Sequence, residues 1–142
     1  MIQFKQFKES LITVQGVNED NNLETLIPEV MNVISQIHVW HLVCPSGQKH
    51  TALGEFYDEM QDGVDELAET YIAIGGEIET TIPFTASVDY SESAIIKYVK
   101  TFRERISECV DSTEGPEFKS LQDKVIDLQE MIDTFLFRFN LS

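Results

Sequence analysis

The chain has 142 residues, 42% of them hydrophobic, which is enough for one well-buried core and too little for two ordinary domains. Ten Lys and Arg against 25 Asp and Glu leave a net charge of -15, and that charge repels nucleic acid and anionic membranes alike, so neither is expected as a partner. Cys44 and Cys109 are too far apart in sequence for a disulfide framework or a C-x-x-C motif, and no apolar run approaches the roughly 20 residues needed to cross a bilayer. A single cytoplasmic domain over residues 1–142 is the expectation.

At the N-terminus, Phe4, Phe7, Leu11 and Val14 keep a helical spacing that Gly16 ends, which predicts a short amphipathic helix packed on the rest of the molecule. Residues 17–22 are polar, with Asn21 or Asn22 placed to cap the next helix. That first long helix starts at Leu23 and carries the stripe Ile27, Val30, Ile34, Ile37, His41 and Cys44, with Pro28 in its first turn. His41 therefore projects with the core residues, while His38 is freer to reach an interface. A short loop through Lys49 implies an antiparallel neighbour. From His50 to Ile74 the residues Leu53, Phe56, Met60, Val64, Leu67, Tyr71 and Ile74 form the second stripe, which Gly75-Gly76 stops.

Residues 77–90 show no helical period and read as an extended crossover. Asp89-x-x-Glu92 is a capping-box pattern for a third helix with buried Ile95, Val99, Phe102, Ile106 and Cys109. Glu114-Gly115-Pro116 breaks the chain before a fourth helix, whose Phe118, Leu121, Val125, Leu128, Ile132, Phe135 and Phe139 alternate three- and four-residue steps as a bundle seam. Connections that run short, long, short predict an all-α, ferritin-like four-helix bundle with one long crossover between the second and third long helices.

On the second helix, Asp58, Asp62, Asp65 and Glu69 fall at i, i+4, i+7 and i+11, one acidic line opposite the apolar stripe. Along a straight helix His50 lies about 22 Å from Asp65, too far for one chain to place both on one ion. A second copy paired antiparallel about a two-fold axis near Asp58 and Glu59 would bring His50 of one chain level with Asp65 to Glu69 of the other. A mixed imidazole and carboxylate site then exists only in the homodimer.

The stretch from His38 to Gly76 resembles the signature of the Dps proteins, the ferritin-like miniferritins: His38, the Pro45-Ser46-Gly47 loop, His50, then Asp65-Glu-Leu-Ala-Glu69 and Ala73-Ile74-Gly75-Gly76. The resemblance implies a ferroxidase centre in which His38 and His50 of one chain and Asp65 and Glu69 of a two-fold mate bind ferrous iron, to be oxidised by peroxide or dioxygen. It also implies iron storage in a homodimer or a larger hollow shell. Asp58 and Asp62 continue the acidic line and would draw in Fe²⁺ or nucleate ferric mineral.

The chain departs from the signature at two points. Gly54, with Glu55 beside it, stands where a further carboxylate is usual, and Trp40 is displaced from its usual place directly after the first histidine, next to an additional His41. The first imidazole ligand is thus open between His38 and His41. No Glu-x-x-His occurs, which excludes the usual intrachain di-iron motif. Only Lys5 and Lys8 charge the N-terminus, so DNA binding is not expected. A structural zinc on His38, His41, Cys44 and His50 is a less favoured alternative to iron, since zinc sites usually draw ligands from two knuckles. The rival from another class is a ferritin-like bundle without ferroxidase function, serving as a structural or interaction protein, for which Gly54, the displaced Trp40 and the shortened crossover are the evidence; the double-histidine helix pair is also similar to bacteriophage ferritin-like proteins, an alternative origin.

Overall fold

The computed structural model describes residues 23–78, 86–113 and 115–141. Among them the chain is all α: α1 Leu23–Val43, α2 Gly47–Ala73, α3 Glu92–Ser112 and, after a 3-10 turn at Pro116–Phe118, α4 Lys119–Leu141. The amphipathic stretch expected at Phe4 to Val14 and the caps at Asn21 or Asn22 lie outside the described residues. No described helix is long and apolar enough to cross a membrane.

Each helix from α2 onward buries the stripe that its spacing specifies except at its edge: Ile74, just past the end of α2, is exposed, and Phe118, in the turn before α4, is half-buried. The buried residues on α2 are Leu53, Phe56, Met60, Val64, Leu67 and Tyr71; on α3 Ile95, Val99, Phe102, Ile106 and Cys109; on α4 Leu121, Val125, Leu128, Ile132, Phe135 and Phe139. The rings of Phe56 and Phe135 stack at 4.3 Å, and Phe139 lies 5.1 Å from Phe135, so α2 and α4 share an aromatic seam. Burial raises the Cys109 thiol above its ordinary range, as suits a small core residue with no redox partner in reach.

The α1 stripe needs correction. Leu26, Val33 and Trp40 are buried where Ile34, His41 and Cys44 were expected, and those three are only half-buried. The inward face of α1 is rotated toward Trp40, whose indole N–H donates to the Asp89 carbonyl at 2.9 Å and whose ring meets Tyr98 edge-on at 5.2 Å. Burial pushes the Tyr98 phenol up to about 12. Pro28 falls in the second turn of α1 rather than the first, where it removes the donor of one i to i-4 bond.

Polar contacts between helices set their directions. Lys49 at the start of α2 donates to the Phe139 carbonyl near the end of α4, and Glu66 pairs with Lys124 further along, so α2 and α4 are antiparallel. Arg103 with Asp133 and Val110 with Gln122 make α3 and α4 antiparallel, and Glu29 with Arg105 and Trp40 with Tyr98 do the same for α1 and α3. Consequently α3 runs parallel to α2. The connection between them leaves one end of the bundle at Ile74 and re-enters at the other, where Glu92 approaches Lys49 at 3.7 Å. Its last stretch is tied to α1: the Gln36 side-chain amide donates to the Ser87 carbonyl at 2.9 Å and accepts from the Ser87 N–H at 2.7 Å. The cap of α3 is Ser91, whose hydroxyl accepts from the Ala94 N–H, in place of the expected Asp89. Asp89 gives its carbonyl to Trp40 instead.

Between α1 and α3 sits a buried ion pair. Arg105 Nε donates to Glu29 Oε2 at 2.9 Å, both side chains are 4% exposed, and Arg105 Nη2 reaches Thr25 Oγ1 at 3.4 Å. At the far end of α2 the chain turns through a glycine C-cap: Gly75 takes φ +95°, its N–H donates to Ile72 and that of Gly76 to Tyr71. Two substitutions test these contacts. Arg105→Ala, which removes the guanidinium paired with the buried Glu29 carboxylate, is expected to lower unfolding stability by about 3–5 kcal/mol in urea denaturation, and the Glu29→Leu, Arg105→Met pair to recover most of it. Gly75→Ala is expected to cost about 1–2 kcal/mol, because a Cβ is strained at that φ.

Candidate metal centre

The site is built on the tight turn between α1 and α2. Ser46 is the N-cap of α2, in extended conformation with φ -96° and ψ 130°, and its hydroxyl accepts from the Lys49 N–H while its carbonyl accepts from the His50 N–H. The helix thus begins at Gly47, three residues ahead of the expected His50. His50 lies in its first turns and His41 in the last turn of α1, so the two side chains face each other across the antiparallel pair.

They form a reciprocal clasp. His41 Nδ1 lies 2.7 Å from the His50 carbonyl oxygen, His50 Nδ1 lies 2.6 Å from the His41 carbonyl oxygen, and the rings stack at 3.8 Å and 24°. His41 is therefore not the core side chain that its place in the stripe suggested. Gly54 is what admits it: a Cβ at that position would stand 2.8 Å from His41 Cε1 and 3.0 Å from Nδ1, closer than packed atoms approach. The absence of a carboxylate at 54 and the presence of an additional histidine at 41 are one packing fact.

His38 lies elsewhere. It is exposed on the outer face of α1 and stacks on Tyr57 of α2 at 4.3 Å and 22°, with its ring centroid 6.3 Å from that of His41. Tyr57 also meets His41 edge-on at 5.3 Å, so one phenol ring joins the three imidazoles into a continuous patch. Tyr57 went unnoticed in the sequence, although its seven-residue step from His50 places it on the same helix face.

Asp58, Asp62, Asp65 and Glu69 are exposed along α2. Neighbouring acids on the same helix have basic partners on α4: Glu55 and Glu59 with Arg138, Glu66 with Lys124. Among the described residues, none of the four acids in the line has such a partner. Nor do they approach the histidines of their own chain: among the described residues, no three His, Cys, Asp or Glu side chains could hold one ion. The zinc set of His38, His41, Cys44 and His50 is accordingly not assembled. Cys44 Sγ turns to the Tyr90 hydroxyl at 3.3 Å and His38 to Tyr57, away from the His41 and His50 pair.

No curated protein and no solved structure matches the chain. A family described only as of unknown function, DUF5856, matches residues 41–137, a span that takes in His41, His50, Tyr57 and the whole acidic line and leaves His38 outside. With more than half of its length matched, the chain belongs to the DUF5856 family.

Proposed function

We propose that this protein is a ferritin-like, Dps-like miniferritin that binds ferrous iron as substrate between two chains and oxidises it with peroxide or dioxygen. His50 and an α1 imidazole of one chain, with Asp65 and Glu69 of a two-fold mate, would hold the ion. The observation that carries the reading is the division of donors along one helix: His50 fixed at one end of α2 and, about 22 Å along it, carboxylates that have no basic partner among the described residues. An antiparallel mate closes that gap for both chains at once. Mixed nitrogen and carboxylate oxygen donors suit ferrous iron. The antiparallel helix pairs with one long connection support a ferritin-like bundle.

When bound, each ferrous ion gives up one electron, and two reduce one peroxide to water. The protein's part is to hold donors in place and to gather cations, and Asp58 and Asp62 extend the acidic line for that purpose. The rival reading is a bundle without iron chemistry that serves as a structural or interaction protein. It is favoured by Gly54, which seats the His41 ring against His50 where the resemblance would lead one to expect a carboxylate.

Anaerobic titration with Fe²⁺, then addition of peroxide with near-ultraviolet absorbance as the readout, separates the two. The wild type is expected to bind saturably and to oxidise iron at least tenfold faster than buffer, with His50→Ala and Asp65→Ala each reduced to the buffer rate. Mixing and reannealing those two variants is expected to restore activity, because a mixed dimer rebuilds one intact site from the His50 of one chain and the Asp65 of the other. Uptake no greater than buffer, or a mixture as inactive as its components, would refute the intersubunit centre.

A further inference from the structure

The helix α1 differs from the others in what it shows to solvent. Residues 30–48 contain no Asp, Glu, Lys or Arg, in a chain where 25% of the residues are charged. Val33, Ile37 and Trp40 face the core. On the opposite side Met31, Ser35, His38 and Leu42 recur at steps of four, three and four, the spacing of a seam between helices. Met31 is 46% exposed, Leu42 67%, and His38 between them is exposed, so the seam is open. The outward faces of the other helices are charged: Asp58 to Glu69 on α2, Lys100 and Glu104 on α3, Asp127 and Glu130 on α4. Two copies that each carry a net charge of -15 approach at least cost where neither presents acids.

The seam is also complementary to itself. A two-fold axis at its midpoint, between Gln36 and Ile37, sets Met31 of one chain against Leu42 of the other at both ends, and Ser35 against His38 within. Apolar residues then meet apolar residues, and a hydroxyl opposite an imidazole can either donate or accept. A parallel pairing in register would set imidazole against imidazole instead. Because His38 stacks on Tyr57 across antiparallel helices, the midpoint is level with Asp58 and Glu59 on α2, the level about which the iron reading turns its mate.

We infer that α1 is the contact between two copies of this chain, through an antiparallel seam of Met31, Ser35, His38 and Leu42 from which the acids of α2 are excluded. The inference gives the two-fold pairing proposed above its contact surface and requires no metal.

Sedimentation of the full chain in buffer containing a chelator tests this, with circular dichroism as the check on the fold. Wild type is expected to sediment as an assembly of at least two chains. Leu42→Glu is expected to weaken that assembly at least tenfold, while Phe137→Glu, at an exposed apolar residue of α4, leaves it unchanged. Met31→Lys combined with Leu42→Glu is expected to restore it, because the seam sets each lysine against a glutamate of the other chain. Within one chain the two positions are about 16 Å apart along the helix, too far to pair. A wild type that is monomeric without metal, a Leu42→Glu variant that assembles as wild type does, or a double variant no better than the single would overturn the inference. An assembly that passes these tests and oxidises no iron removes the ferroxidase reading and leaves the contact standing.

Discussion

The turn after α1 is so short that α1 and α2 have no choice of register. Cys44, Pro45 and Ser46 are all that separates the two helices, and Ser46 is already committed as an N-cap. A connection of this length leaves α2 antiparallel and adjacent to α1. The last turn of one helix then faces the first turns of the other, and His41 and His50 become opposite residues. Neither imidazole needs a partner from the core. Each finds a carbonyl on the facing helix: that of His41 lies in the last turn of α1, where carbonyls lack intrahelical partners, and that of His50 offers its second lone pair.

Much of the bundle was legible because its signals are redundant. In α4 the apolar positions recur through six turns, and no shift of register keeps them together. The stripe of α1 is ambiguous by comparison, since Ile34, Ile37, Trp40, His41 and Cys44 offer two overlapping faces. Periodicity cannot choose between these. The choice rests on a long-range bond, Trp40 to the Asp89 carbonyl, from a segment 49 positions away. The cap of α3 was misplaced for a similar reason: Asp89 and Ser91 both suit a cap, and the backbone at Asp89 is already engaged. The candidate site was legible as residue types and spacings, with His50 and the acids placed on α2 as expected. What the spacing could not reveal is that Gly54 and His41 are halves of one contact, because that relation crosses two helices and has no period.

Charge is distributed with the same economy. A net charge of -15 would ordinarily spread repulsion over the whole surface, yet among the described residues the basic side chains of α4 answer the acids on one flank of α2 and leave the other flank uncompensated. The outward line from Asp58 to Glu69 therefore carries most of its field into solvent. At physiological ionic strength that field reaches about 8 Å, enough to enrich cations at the helix surface and to resist approach of another acidic surface unless cations or imidazoles lie between.

The Gln36 clamp gives the crossover a property separate from the site. Its amide pairs with Ser87 through one donated and one accepted bond, much as a neighbouring strand would, and Trp40 fastens Asp89 just beyond. The start of α3 is thus indexed to α1, not to the path by which the chain arrives. From Ser87 onward the phase of α3 in the bundle is set by contacts with α1, so a change at Gln36 or Trp40 on one helix would be read out as a rotation of another.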